Sequence, residues 1–400
     1  MTVNLMAANR QWANRPPDER FWTIDDLARK LTNVKAAARE GNALIGRLKV
    51  EAVGEDIVVS GDNNSARITN HAFGQLCGRV DFPASPMQKL SANLAADVLN
   101  YRIQKIAEEF PETEVQLLLD MGEDVTIRSV TSDKYARVFG ADFIPFLRKM
   151  QFYGWKVPPA RPNGSDTVNV RYATEADILA NNEFAGGGLS VKLGDPIAPA
   201  GLYAGDRDMF VFMVNTDQQV DDGTGRKWSR GFFLSNSEVG AASVSLTEFM
   251  MANVCGNHIV WDATNIAQIK YRHIGEAMEK TMGALAIAER RLSDWQPRNL
   301  GDRLKLLRES IIGPDKDDVV DVVYKMRLDP ALTQKALCAS YDAAEVYGVY
   351  DGADANSPLG LVHGMTRHSQ TLTNANERMK LDQAAGKILD KFGTLLTQGE

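Results

Sequence analysis

The sequence predicts an α+β fold in which flanking helices pack on a central mixed or antiparallel sheet. Between residues 115 and 275 the 400-residue chain carries β-type runs such as VQLLLD and MFVFMVN, divided by Gly, Pro, Asn and Asp clusters. After Gly275 apolar residues recur at helical spacing instead. The strand-like runs do not alternate regularly with helical ones, so a doubly wound parallel sheet is not favoured.

The same patterns divide the chain into three segments. Residues 1–114 are predicted to form a helical and strand segment, in which Thr23 caps a helix with Asp26 three residues on. Residues 115–275 form the sheet-rich core. Residues 276–400 form a mostly helical region that packs on the sheet or serves in self-association. The length agrees with two or three domains.

Composition and charge exclude several classes of protein. Hydrophobic residues make up 44% and charged residues 24% of the chain, as is usual for a soluble folded protein. No stretch approaches the roughly 18 consecutive apolar residues of a membrane helix, and the first residues lack an apolar signal-peptide core. We therefore expect a cytoplasmic protein without a membrane partner. The net charge of −7 excludes the overall basic character of a strong duplex-DNA binder but not a local basic groove.

Cysteine spacing and known motifs give no sign of a metal or cofactor. Cys77, Cys255 and Cys338 lie far apart and form no CxxC pair, so we expect them to be reduced, unpaired and mostly buried. His363 and His368 are five residues apart and do not share a helix face. The chain has no P-loop, dinucleotide-binding glycine motif, HExxH, GxSxG or EF-hand loop. We predict no cofactor.

Residues 128–161 are the strongest local anomaly, because seven cations there face two carboxylates. Seven aromatic residues are interleaved with them: Tyr135, Phe139, Phe143, Phe146, Phe152, Tyr153 and Trp155. Single-stranded nucleic acid is bound by cations that meet phosphates and by rings that stack on bases. In this interpretation the phosphate and base contacts come from Arg128, Lys134, Arg137, Tyr135 and Trp155.

A structural interpretation of the same segment stays open. Phe139, Phe143 and Phe146 fit the spacing of the buried stripe of an amphipathic helix, with the basic residues solvated outside. Another anionic partner is a third alternative. The arrangement of the basic residues decides between them, since a binding surface needs them to line one groove.

The polar hexamer Ser235–Gly240 lies between two β-type runs. It predicts a tight turn or a bulge in which Gly240 takes a positive φ. Glu238 is then a candidate general base or metal ligand, although a carboxylate at a strand turn more often has a structural role.

Several segments together resemble a known family. They are TIRSVTSDKYARV (126–138), LSNSEVGAASVSL, NVCGNHIVW and YRHIGEA (271–277), with ITNHAFGQLCGRVDFPAS (68–85) and LGLVHGMTRHSQ (359–370). From about residue 65 to about residue 390 the chain resembles a phage- and plasmid-borne family known as domain of unknown function 932. The chain departs from the family's Cys-x-Asn-Gly at one position, where His258 replaces the glycine.

The resemblance implies a mobile-element protein that works in the bacterial cytoplasm. The family has no assigned activity, so no catalytic role is transferred to any residue. The residues that match its motifs are candidates for a shared structural or functional site: Arg128, Ser132, Tyr135, Asn236, Ser237, Glu238, Gly240, Cys255, Arg272 and His273.

Three functional hypotheses follow. The first is a non-enzymatic accessory protein, homo-oligomeric, that binds single-stranded DNA in replication, recombination or counter-defence. The second is a metal-dependent enzyme acting on nucleic acid or a nucleotide, with Glu238, Arg272 and His273 converging at a sheet edge. The third is an interaction module that targets a host protein through the helical C-terminal third.

Overall fold

The computed structural model describes residues 16–61, 64–157, 161–162, 169–185, 191–199, 201–221, 225, 227–252, 258–259, 269–294, 300–372 and 375–398. Its helices and mixed sheets confirm the α+β class. The first long helix, α1 (Ile24–Ala37), begins with the predicted capping box. The Thr23 hydroxyl accepts from the Asp26 N–H at 3.1 Å, and the Asp26 carboxylate accepts from the Thr23 N–H at 3.2 Å.

The first large sheet is mixed and has six strands: β1 (Ala38–Leu44), β2 (Lys49–Val53), β3 (Asp56–Gly61), β4 (Asn64–Ile68), β5 (Glu114–Asp120) and β6 (Thr126–Ser132). The strand order is β1-β5-β6-β4-β3-β2, in which β4 and β6 run parallel and the other neighbours run antiparallel.

The core of this sheet lies beneath the helices that connect β4 to β5. The helix α2 (Asn70–Arg79) is followed by the short α3 (Ala84–Met87) and by α4 (Ala92–Glu109). Leu76 and Leu99 are fully buried against strand residues such as Val115. Cys77 lies in the same core, and burial raises the pKa of its thiol to about 11.

A shorter stretch precedes the second large sheet. The helix α5 (Ile144–Phe152) and the helix α6 (Glu175–Ala185) are accompanied by a small three-stranded sheet. That sheet has the order β7-β9-β8 and consists of β7 (Arg161–Pro162), β8 (Arg171–Tyr172) and β9 (Pro196–Ala198).

The second large sheet is antiparallel and has six strands: β10 (Leu202–Ala204), β11 (Met209–Asp221), β12 (Lys227–Asn236), β13 (Val244–Ala252), β14 (His258–Ile259) and β15 (Ile269–Tyr271). Both β14 and β15 pair with β13. One face packs on α1, α5 and α7 (Ala277–Ser293), and the other carries Phe210, Phe233 and Phe249. A Cβ on Gly231 would lie 2.2 Å from the Phe249 ring, so glycine is required opposite that ring.

The C-terminal helices confirm the predicted loss of strands after Gly275. No strand occurs in the described part of residues 276–398. The helices form a separate core that also receives Val220, Trp228 and Met250 of the second sheet. They are α8 (Leu300–Glu309), α9 (Lys316–Lys325), α10 (Gln334–Asp351), α11 (Pro358–Thr371) and α12 (Ala375–Gln398).

The sequence predicts one sheet built mainly from residues 115–274. The structure instead divides the strands of that range between two large sheets and a small one. The strands β5 and β6 belong to the first sheet, where they pair with β1 and β4. The predicted boundary between residues 114 and 115 therefore falls inside that sheet. Residue periodicity identifies a strand but carries no information about its partner, which here lies earlier in the chain.

Two further predictions, on membrane-spanning helices and on the cysteines, concern the described residues. None of their helices combines the length and apolar character needed to cross a bilayer. Cys77 is buried and Cys338 is half-buried, and both are free thiols. Cys255 lies outside the described residues.

Candidate functional site

The turn after β12 reaches across to the first sheet. It contains Asn236–Gly240, and Gly240 has φ +80°, as the sequence predicted. A Cβ on Gly240 would lie 3.3 Å from the Gln75 amide and 3.4 Å from the Tyr135 ring. The turn is therefore pressed against residues of α2 and of the link that follows β6, and glycine suits both its backbone conformation and its tight surroundings.

Three consecutive carbonyl groups of this turn, at residues 237–239, accept hydrogen bonds from side chains outside it. The Tyr135 hydroxyl donates to the first at 3.0 Å, the Arg137 guanidinium to the second, and the Gln75 amide to the third at 2.7 Å. The Gln75 carbonyl in turn accepts from the Val130 N–H of β6 at 2.9 Å. Backbone groups that would be costly to bury alone are thus satisfied by side chains of α2 and of the link after β6.

Two polar side chains of the turn fix its own ends. The Asn236 amide donates to the Val138 carbonyl at 2.8 Å. The Ser237 hydroxyl donates to the Arg207 carbonyl at 2.5 Å and accepts from the Ala241 N–H at 2.9 Å. Both residues therefore act in the positioning of the turn.

Glu238 forms a buried ion pair with Arg128. Its Oε1 lies 2.7 Å from Arg128 Nη1, and the two side chains are 10% and 9% exposed. The Gly140 N–H also donates to Oε2 at 3.4 Å. Because Arg128 belongs to β6 and Glu238 to the turn after β12, the pair ties the two large sheets together.

Arg137 lies beside this pair, and its side chain is also buried and bonded within the protein. Its side chain is 1% exposed, donates to Gln116 Oε1 at 3.0 Å, and lies 3.5 Å from Glu40 Oε2. The guanidinium also lies over the Tyr135 ring, 5.1 Å from its centroid. Burial lowers the pKa of Arg137, and the Glu40 carboxylate opposes that change.

His273 stacks on the ring of Tyr135. Its ring centroid is 5.0 Å from that of Tyr135, with 21° between the planes. The Ala136 N–H donates to the His273 carbonyl at 3.0 Å, so the strand-like link beside Tyr135 fastens the segment that leads into α7. Burial lowers the pKa of His273 and raises that of Tyr135, which favours the neutral form of both.

Most of the residues that carry the family resemblance therefore converge. Those that meet around the turn are Arg128, Tyr135, Asn236, Ser237, Glu238, Gly240 and His273. Ser132 ends β6 half-buried, and its carbonyl accepts from the Tyr135 N–H at 3.0 Å. Arg272 is exposed, and Cys255 lies outside the described residues.

The cluster does not form the metal site of the enzyme hypothesis. Within the described residues no group of three or more His, Cys, Asp and Glu side chains is placed to hold a metal ion. Glu238 is paired with Arg128, and none of the contacts described for it joins it to His273 or Arg272. The cluster instead joins the two large sheets, which is a structural role, and among the described residues its Asn236 Oδ1 and His273 Nε2 atoms are buried without a hydrogen-bond partner.

The predicted nucleic-acid residues do not line a groove. Arg128 and Arg137 are buried in the cluster, and Trp155 is 1% exposed with its ring 5.0 Å from that of Phe232. Of the three residues predicted to contact phosphates, Lys134 is the exposed one. Tyr135 is half-buried, and its hydroxyl donates to the Ser237 carbonyl. This part of the segment follows the core interpretation, since the two arginines are paired and Trp155 is packed within the protein.

Phe143 and Phe146 are core residues, as the structural interpretation predicted, but the three phenylalanines do not form one helical stripe, because Phe143 ends a 3-10 turn before α5 and Phe139 is half-buried in another cluster. Phe143 and Phe146 are 0% and 7% exposed, whereas Phe152 and Tyr153 are 85% and 37% exposed. The two exposed rings contact each other edge to face, with centroids 5.6 Å apart. Sequence reasoning placed both in the segment but did not single them out, because helical spacing alone does not show where α5 ends.

The end of α5 is held firmly. The Tyr153 N–H donates to the Lys149 and Met150 carbonyls at 3.1 and 3.0 Å, and the Tyr153 carbonyl accepts from the Asn215 amide at 3.3 Å. Gly154 follows with φ +84°, and the buried Trp155 anchors the chain below. Two cations lie one helical turn before the rings, Lys149 with its Nζ 2.5 Å from Glu289 and Arg148 with its Nη2 2.8 Å from Asp25.

Comparison with protein-family models, with curated proteins and with solved structures found no match. The resemblance to domain of unknown function 932 therefore stays a prediction from the motifs.

Proposed function

We propose that this protein is an accessory protein of a phage or plasmid that binds single-stranded nucleic acid, foremost single-stranded DNA, at the exposed end of α5. The binding surface, the α5 tip, consists of Arg148, Lys149, Phe152 and Tyr153. The mobile-element origin is supported by the family resemblance. The ligand is supported by the chemistry of the tip.

One observation carries this proposal: Phe152 is 85% exposed on a turn that is otherwise well fastened. A single exposed apolar side chain is common, but here a second ring lies against it and cations lie one turn away. Stacking platforms for single strands combine these two features, because any base can stack on a ring while the backbone meets a cation. The buried Trp155 then serves as the anchor of the turn.

The cations of the α5 tip also shape the expected affinity. Arg148 and Lys149 each pair with a carboxylate, but both side chains are more than half exposed. The Arg148–Asp25 pair is exposed at both ends and contributes little stability, so a phosphate oxygen can replace Asp25 there, whereas Glu289 is only 19% exposed and stays beside Lys149. Binding is therefore expected to weaken moderately with added salt, since two phosphate contacts at about 0.7 each give a slope of log K against log salt of about −1.4.

The decisive experiment is fluorescence anisotropy with a labelled oligothymidylate. Phe152→Ala and Tyr153→Ala should each weaken binding by about 1–3 kcal/mol, the usual value of one stacked base. Phe110→Ala is the matched control, because Phe110 is also exposed, at 54%, but lies at the end of α4. It should leave the affinity unchanged.

Two results would count against the proposal. The first is the absence of binding by the unaltered protein at about 50 mM salt, where electrostatic contacts are strong. The second is equal loss of affinity in Phe152→Ala and Phe110→Ala. In either case a host protein becomes the better candidate for the partner of the α5 tip.

A further inference from the structure

A carboxylate stands beside the exposed rings of the α5 tip. Glu289 belongs to α7, and its Oε1 lies 2.5 Å from Lys149 Nζ and 3.5 Å from the Tyr153 hydroxyl. These two contacts hold the Glu289 side chain next to one of the two rings. The carboxylate therefore has a defined place at the edge of the surface on which a base would stack.

The Glu289 carboxylate is within reach of a ligand at the tip. Its side chain is 19% exposed. Within the described part of the chain both side-chain contacts of the carboxylate involve Oε1, so Oε2 keeps its capacity to accept a hydrogen bond. Because an ionised carboxylate is an acceptor only, the ligand group that fits beside it is a hydrogen-bond donor.

A second carboxylate lies close to the turn that follows the rings. Asp217 of β11 is exposed, and its Oδ2 lies 3.4 Å from the position that a Cβ on Gly154 would take. On the side of α1, by contrast, Arg148 pairs with Asp25 and presents a cation. The tip thus offers a cation toward α1 and carboxylates toward α7 and β11, which gives a bound strand a preferred orientation.

Only some bases supply a donor of the required kind. The Watson–Crick edge of an unpaired base is free for contacts, and cytosine, adenine and guanine carry an exocyclic amino group there. Thymine and uracil have a carbonyl oxygen at the position of the cytosine amino group, and two acceptors repel each other. Acidic side chains are accordingly the partners that proteins use for the cytosine amino group.

We propose that the α5 tip selects bases that bear an amino group, and so cytosine over thymine or uracil, through a hydrogen bond from that group to Glu289. This inference rests on the proposed binding of single strands at the tip and adds base selection to it. The base stacks on Tyr153 and turns its amino edge toward α7, while its phosphate faces Arg148. Stacking alone accepts any base, so the carboxylate is the selective group.

Fluorescence anisotropy with labelled oligodeoxycytidylate and oligodeoxyuridylate of equal length tests the selection in the unaltered protein. The two oligonucleotides share backbone and ring size, and neither base carries the methyl group of thymine. A mildly alkaline buffer keeps cytosine unprotonated. One hydrogen bond to a charged acceptor should make the cytosine oligonucleotide bind about tenfold more tightly than the uracil oligonucleotide.

Glu289→Gln distinguishes base selection from a structural role of this side chain. It removes the charged acceptor and releases Lys149 for phosphate, so most of the cytosine preference should disappear while the uracil oligonucleotide binds more tightly than before. A variant with a damaged fold would instead bind both oligonucleotides more weakly. Glu279→Gln is the matched control, because Glu279 is an exposed carboxylate in the first turn of α7, about 15 Å from Glu289 along the helix axis. It should keep the full preference.

The possible results distinguish base selection from single-strand binding itself. Equal affinity for the two oligonucleotides, with binding that Phe152→Ala still weakens, overturns the selection but leaves single-strand binding at the tip in place. A preference for uracil, or a cytosine preference that Glu289→Gln retains, also overturns the selection. Absence of binding to either oligonucleotide overturns both proposals.

Discussion

Arg128 and Glu238 are each too polar to be removed from water alone, so their pairing determines where the turn after β12 can sit. The two side chains come from different sheets and are almost fully buried. A buried pair of this kind contributes little net stability compared with apolar residues of the same size, but it specifies one arrangement of its neighbours. The role of Glu238 is therefore to set the position of the turn, and the surrounding carbonyl contacts depend on it.

Loss of one member of this pair should be costly. Glu238→Gln keeps the shape of the side chain but leaves the Arg128 charge buried without a counter-charge, so we expect a loss of about 3–5 kcal/mol of unfolding free energy. The measurement is urea denaturation followed by circular dichroism. Glu51→Gln is the control, because Glu51 pairs with Lys49 at 2.6 Å on the surface and should change stability by less than about 1 kcal/mol. Equal effects of the two variants would contradict this account.

Close helix packing depends on glycine in the C-terminal core. In α11, a Cβ on Gly364 would lie 2.0 Å from the Ser340 carbonyl oxygen of α10 and 2.7 Å from the Ala344 Cβ. The neighbouring helix backbone occupies the space that any side chain would need. Helical spacing predicted a mostly helical region after residue 276, but it does not show that the backbones of α10 and α11 touch.

A pair of glycine-to-alanine changes separates packing from helix propensity. Gly364→Ala should destabilise the protein by about 1–3 kcal/mol, because overpacking outweighs the better helix propensity of alanine. Gly283→Ala in α7 is the matched control, since a Cβ there meets nothing within 4 Å. That change should stabilise the protein by about 0.5–1 kcal/mol. Thermal melts of the two variants should therefore shift in opposite directions.

For the whole molecule, local pattern and long-range pairing contribute different parts of the fold. The α+β class, the capping box at Thr23 and the helical C-terminal third follow from residue spacing, which is a local property. The division of the strands into two sheets does not, because the pairing of β1 with β5 joins distant parts of the chain. The site divides in the same way. The motifs selected Tyr135 and His273, whereas Gln75 has no spacing that marks it as a partner of the turn.

Because the turn cluster connects the two large sheets, protonation within it should affect the stability of the whole molecule. His71 Nε2 lies 3.2 Å from the Val239 carbonyl on one side of the turn, and His273 stacks on Tyr135 on the other. Burial lowers the pKa of both histidines, and the positive charges of Arg207 and Arg137 lower them further. A group with a depressed folded-state pKa binds its proton more weakly in the folded state than in the unfolded state. Stability is then full above the unfolded value of about 6.5 and falls as the pH decreases below it.

We therefore expect the melting temperature to fall between about pH 7 and pH 5, in the range where histidine of an unfolded chain takes up its proton. Scanning calorimetry at a series of pH values measures this dependence. In the double variant His71→Gln/His273→Gln the decrease over that range should be smaller, because neither replacement side chain titrates. His368→Gln measures the share of a histidine outside the turn, since burial also lowers the pKa of His368 in α11, and this variant should remove less of the decrease than the double variant. A double variant with the same pH dependence as the unaltered protein would place the acid sensitivity outside the turn cluster.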